Sequence, residues 1–185
     1  ARDYFGGLAY FLQLHLWLSC FGQDEFVLRL PSALLSILSL PILYQTARRF
    51  LDQRKALLAV LLLTVAPLDI WYAQEARMYS QASFLGLLLL LLHFRETAAA
   101  TFALIYAIAG LAGMYTLYSF PLILLAANIH FALTSFWYRY PRRRWIPWLL
   151  AQLGIVVGFL PWLPIFRHHL QLVASNVRAW QTLAA

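Results

Sequence analysis

Three charged side chains gather where a long apolar run ends. They are Asp69, Glu75 and Arg77, in Pro67-Leu68-Asp69-Ile70-Trp71-Tyr72-Ala73-Gln74-Glu75-Ala76-Arg77-Met78-Tyr79. A planar guanidinium can hold a phosphate or diphosphate through paired N–H bonds. A carboxylate two residues away can orient that arginine, bind a metal or accept bonds from sugar hydroxyls. Charges near the hydrocarbon boundary are costly, which makes them candidates for function. The plainer reading stands beside this one: Arg77 reaches lipid headgroups and Glu75 pairs with it.

The elements that must hold these residues are apolar almost throughout. The chain has 185 residues, 63% of them hydrophobic and 11% charged. Soluble domains carry roughly twice that charged fraction. So much apolar surface fits a bilayer, where lipid-facing side chains are also apolar. The sequence therefore predicts an all-α, polytopic membrane helix bundle, a single transmembrane domain over residues 1–185. The chain opens on Ala1 without a secretory signal pattern, and it is expected to be a piece of a longer chain.

A span needs about 20 mostly apolar residues. Leu30 to Ala47, Ala56 to Gln74, Tyr79 to Phe94 and Trp145 to Phe166 are four candidates. From Thr97 to Tyr138 there is no Asp, Glu, Lys or Arg, which suits two spans with a tight turn near Tyr118-Ser119-Phe120-Pro121. The total is about six transmembrane helices. Gly7 to Phe21 is apolar and aromatic but contains Gln13 and His15; it is expected to end a span or to lie in the interface. Pro41, Pro67, Pro121, Pro161 and Pro164 fall inside spans, with Pro161-Trp162-Leu163-Pro164 marking a kink or helix end.

Charge orients the spans. Arg48, Arg49, Arg54, Lys55, Arg95, Arg139, Arg142, Arg143 and Arg144 fall on one side. Arg29, Arg77, Arg167 and Arg178 fall on the other, with Asp24, Glu25, Asp69 and Glu75. The richer set is cytoplasmic by the positive-inside rule. The net charge of +7 then reflects topology and anionic headgroups, and no nucleic acid partner is expected.

Other residues call for simpler explanations. Cys20 alone allows neither an internal disulfide nor a cysteine cluster. His168-His169 is a poor chelating spacing and reads as solvated interface. Asn128 and His130 lie within a span and suit interhelical hydrogen bonds. Asp24-Glu25 is expected to cap the helix that follows.

Three segments, in order, carry a resemblance. Leu14-His15-Leu16-Trp17-Leu18 precedes Phe21-Gly22. Glu25-Phe26-Val27-Leu28-Arg29-Leu30-Pro31-Ser32-Ala33-Leu34 follows, and then Tyr72-Ala73-Gln74-Glu75-Ala76-Arg77-Met78-Tyr79. From about Leu8 to Trp180 the chain resembles bacterial glycosyltransferases of the protein O-mannosyltransferase and aminoarabinose-transferase superfamily. The resemblance implies the multi-span GT-C fold in the bacterial inner membrane. It also implies transfer of a sugar from a polyprenyl-phosphate donor, on the outer face, to a protein, lipid or glycan acceptor.

The family inverts the anomeric carbon, with an acidic residue of the first outer loop as general base. Arg77 matches its arginine at the outer end of this span and would stabilise the leaving phosphate. Glu75 would position Arg77 or touch the sugar or a divalent metal, and Tyr79 would support the lipid phosphate or anchor the interface. That catalytic loop precedes Trp17 in the family, so the base is expected upstream and the chain alone is expected to be inactive. Phe5-Gly6-Gly7-Leu8 stands where the family has His-Pro-Pro. A transporter or flippase of lipid-linked sugars and a non-catalytic membrane scaffold are the alternatives.

Overall fold

A computed structural model describes residues 7–95, 100–138 and 142–164, all of its regular structure helical. Arg139, Arg167, His168, His169 and Arg178 lie outside the described residues. The helices are α1 (Leu8–Phe21), α2 (Glu25–Ala47), α3 (Gln53–Thr64), α4 (Pro67–Gln74), α5 (Tyr79–His93), α6 (Ala100–Thr116), α7 (Phe120–Tyr138) and α8 (Arg142–Phe159). A 3-10 turn, Leu160–Trp162, follows α8 with Pro161 in it, the helix end expected there.

By length and composition α2, α7 and α8 suffice to cross a membrane. The α3–α4 pair counts as one more if taken as a single span, but it is bent by 54°. The span expected over Ala56 to Gln74, with Pro67 inside it, corresponds to this bent pair. Pro67 lacks an N–H and its ring crowds the preceding turn, so α3 ends and Pro67 opens α4 at a position that tolerates it. The tight turn before Phe120 stands where expected, with Phe120 N–H donating to the Leu117 carbonyl at 3.0 Å.

α5 and α6 are apolar but shorter. At 1.5 Å per residue α5 reaches only about 22 Å, less than the hydrocarbon core. It tolerates this because it is central. Its largest interface is with α2 and its next is with α6. Ser80, Gln81, Ala82, Leu85, Gly86, Leu89 and Leu91 are all buried. Small residues such as Ser80, Ala82 and Gly86 let neighbouring backbones approach.

The core is built from α5 to α8: Leu85, Leu89, Tyr106, Ala109, Phe120, Leu124, Ala127, Ala151 and Ile155. On α8, Gly154 and Gly158 share a face one turn apart, the small-xxx-small pattern of close helix pairs. A methyl added at Gly154 would lie 3.6 Å from Ala107, and one at Gly158 would lie 2.6 Å from Leu111. Tyr115 donates its hydroxyl to the Gly158 carbonyl at 2.9 Å, pinning α6 to α8. Asn128 donates to Gln152 at 3.4 Å across α7 and α8, the interhelical role expected of it. His130 shares a 2.9 Å hydrogen bond with His93 across α5 and α7, one ring nitrogen donating and the other accepting. Outward faces keep large apolar side chains such as Leu61, Leu104, Leu122 and Leu153 exposed, as lipid requires.

The charges separate by end. Asp52 caps α3 by accepting from the Lys55 backbone N–H at 2.9 Å. Arg49 donates to the Phe94 carbonyl at 2.8 Å, so the Arg48–Lys55 and Phe94–Arg95 segments share the arginine-rich end. Asp24 and Glu25 mark the opposite, acidic end of α2, and Asp69 lies deeper, against Ser36 at the middle of that helix. The cap expected of Asp24 is not made: it stands at the N-cap of α2, but its side chain accepts no bond from that helix. Glu25 instead pairs with Arg29 one turn on, which removes it from any reach back to the helix start.

Candidate functional site

The acidic end is assembled by α1, the start of α2, the bent α4 and the start of α5. α1 runs back beside the first turns of α2, with Tyr10 next to Ser32 and Trp17 next to Val27. The space beside Gly7, just before α1, is bounded by the Thr116 carbonyl at the end of α6 and by Met78 just before α5. The other end of α1 docks at the start of α2, where Trp17 donates its indole N–H to the Val27 carbonyl at 3.0 Å. At 14 residues α1 is apolar but shorter than a full span, and it packs on α2 and α6. Cys20 is exposed on this helix.

The Trp17 bond has a cause in the sequence. Pro31 sits inside α2 and has no N–H to offer the carbonyl four residues back. That carbonyl is Val27, and the indole replaces the missing helix donor. Gly7 has φ 116°, a left-handed conformation that costs glycine little and side-chain-bearing residues much.

The α4–α5 corner holds the charged trio. Asp69 stands in the first turn of α4, where a helix dipole favours an anion. It accepts from the Ser36 hydroxyl of α2 at 2.8 Å. Trp71 donates to Glu75 Oε1 at 3.0 Å, one turn along. Glu75 has extended backbone, φ −92° and ψ 138°, which ends α4 and turns the chain outward. Ser80 donates to the Tyr72 carbonyl at 2.8 Å, satisfying an orphan acceptor of the α4 C-terminus and closing the corner. The Tyr72 and Tyr79 rings lie 4.5 Å apart, tilted by 31°.

Of the residues singled out from sequence, Arg77, Glu75 and Tyr79 fall on this one corner. The Arg77 side chain is 63% exposed and its Nε lies 3.8 Å from Glu75 Oε2. That is a loose pair of low energy at a wet surface. The guanidinium keeps its forked edge available to an anion. Glu75 is more enclosed, at 30%, between Trp71 and Arg77. Tyr79 packs on Tyr72 and opens α5.

Sequence reasoning missed a polar stripe. Ser32, Ser36 and Ser39 recur at helical spacing on α2 and all are buried. The spacing was the available signal. Ser39 bonds back to the Leu35 carbonyl at 2.9 Å and Ser36 bonds Asp69. The Ser32 hydroxyl and the Tyr10 hydroxyl are buried beside each other, with no third partner among the described residues. Burial pushes the Tyr10 phenol above its ordinary value, an effect the adjacent Ser32 hydroxyl partly offsets. Among the described residues no three His, Cys, Asp or Glu converge as a metal centre.

Residues 7–165 match the family described as dolichyl-phosphate-mannose-protein mannosyltransferase. Comparison with curated proteins and with solved structures finds no match. A family match over most of the chain, on a helical membrane bundle, leads to one conclusion: the chain belongs to the dolichyl-phosphate-mannose-protein mannosyltransferase family, membrane glycosyltransferases of the GT-C type.

Proposed function

We propose that the chain forms the membrane core of a glycosyltransferase that uses a polyprenyl-phosphate sugar and works at the acidic end of the bundle. This end faces the outside of a bacterial inner membrane, since the opposite end is the arginine-rich one. The acceptor oxygen forms a bond to the anomeric carbon. The bond from that carbon to the phosphate oxygen breaks, and polyprenyl phosphate leaves as an anion. The acceptor proton goes to a carboxylate base, which the resemblance assigns to a loop preceding Trp17.

The observation that carries this reading is the exposed Arg77 guanidinium at the membrane edge, held only loosely by Glu75. A cation where leaving-group charge develops lowers the barrier. Glu75, fixed by Trp71, orients Arg77. Tyr79, stacked on Tyr72, anchors the corner in the interface. The acceptor is a protein, lipid or glycan hydroxyl.

The test is transfer of labelled sugar from polyprenyl-phosphate donors in membranes carrying the protein at its full native length. Transfer above that of control membranes is expected. No transfer across a panel of such donors would overturn the reading.

A further inference from the structure

We propose that Asp69, held by Ser36, receives the sugar of the lipid-linked donor while Arg77 receives its phosphate. The proposal rests on the reading above and divides the site between two ligand groups.

Asp69 is half-buried in an apolar bundle, where a carboxylate is expensive to keep. The Ser36 hydroxyl occupies Oδ2. Among the described residues no cation lies within ion-pair distance of it, unlike Glu25, Asp52 and Glu75. A carboxylate has about four acceptor sites, so most of its capacity is unspent. Spare acceptors of this kind match hydroxyl donors of a neutral polyol.

A second observation points the same way. Ser32 lies one turn from Ser36 on the same face of α2, and its side chain is 0% exposed with no partner for Oγ but the Tyr10 hydroxyl. The Tyr10 hydroxyl, in a residue 1% exposed, faces Ser32 and has no third partner among the described residues. Buried hydroxyls short of partners cost stability, and a site that takes hydroxyl ligands gives them a use. Tyr10 is carried by α1, whose Trp17 also donates to the Val27 carbonyl of α2.

Charge sets which group goes where. A phosphate beside Asp69 would meet an anion with no cation on it, whereas Arg77 is the exposed cation of the same corner. From Asp69 to Glu75 the helix rises about 9 Å. That spacing suits a sugar ring at one residue and its phosphate near the other.

The test compares binding of polyprenyl phosphate and polyprenyl-phosphate mannose to the purified full-length protein, read by native mass spectrometry. Wild type is expected to bind the mannosyl lipid about tenfold more tightly, a difference of the size that hydrogen bonds to a charged group supply. Asp69→Asn, which still accepts from Ser36, should remove that increment and leave polyprenyl phosphate binding unchanged. Ser36→Ala should reduce the increment in part. Arg77→Ala should weaken both lipids alike. Equal binding of the two lipids by wild type would overturn the division, as would an intact increment in Asp69→Asn, and the transferase reading would survive either. Binding of neither lipid would remove both.

Discussion

Two seams run through this bundle, and they are built from opposite materials. The α6–α8 seam is packed by glycine against aliphatic side chains, with Gly110 and Gly158 facing Ile155 and Leu111. The α2–α4–α5 seam is polar, with Ser32, Ser36, Ser39, Asp69, Ser80 and Gln81 in or beside it. The first seam gains from close backbone approach and can exclude everything else. The second keeps a carboxylate and unspent acceptors against the middle of α2, which is costly unless something binds there. The contrast assigns the frame to α6–α8 and, on the proposal above, ligand contact to the polar seam.

The largest effect expected falls on the frame. A methyl on Gly113 would stand 2.1 Å from the Phe120 ring, which is fully buried and cannot step aside. Gly113→Ala should destabilise the bundle by about 3 kcal/mol in a detergent unfolding experiment. Phe120→Leu in the same chain should recover part of the loss. Gly158→Ala meets only the flexible end of Leu111 and should cost much less. Gly113 lies where α6 meets α7 and Gly158 in the α6–α8 seam, so equal costs at the two would mean that a buried ring yields as easily as the flexible end of Leu111.

A smaller effect is expected at the fastening of α1. Trp17→Phe leaves the Val27 carbonyl without a donor and should weaken α1 docking by about 1 kcal/mol, visible as faster amide exchange in α1. In a Pro31→Ala background, residue 31 regains an N–H for that carbonyl, and the Trp17 substitution should then have almost no effect. An undiminished effect there would mean that indole packing, not the hydrogen bond, holds α1.

The smallest effect belongs to the arginine-rich end. The Lys55 backbone N–H and the Lys55 side chain together hold the Asp52 carboxyl below its ordinary value of 3.8. The folded value is the lower one, so this stabilisation is complete above the unfolded value. It is lost as pH falls through the folded value. Exchange of the first α3 amides should therefore be unchanged near neutrality and rise only below about pH 4.

Much of the frame was legible in the residues. Long apolar runs bounded by arginines located α2, α5 and α8, and the uncharged stretch from Thr97 with its Ser119–Pro121 signal split into α6 and α7 as expected. The bend at Pro67 was not read, because proline in an apolar run is compatible both with a kinked span and with a new helix. Only packing of α4 on α2 decides between them. The capping role expected of Asp24 failed because composition marks a helix start without fixing side-chain geometry. Arg77, Glu75 and Tyr79 were legible as a motif, and they share one corner. The bond from Ser36 to Asp69 joins residues 33 positions apart, and no local pattern signals such a pairing. Trp17 and Pro31 were each visible, but their connection through the Val27 carbonyl needs the docking of α1.

The most direct measurement is the rate of sugar transfer from a labelled polyprenyl-phosphate donor by the full-length protein, its Arg77→Ala form and its Arg77→Lys form, at matched levels in membranes. If Arg77 steadies the departing phosphate, Arg77→Ala should lower kcat/KM by about a hundredfold, the usual loss of a transition-state charge partner, and lysine should restore part of it. Transfer by Arg77→Ala at the wild-type rate would contradict this and leave Arg77 a lipid anchor.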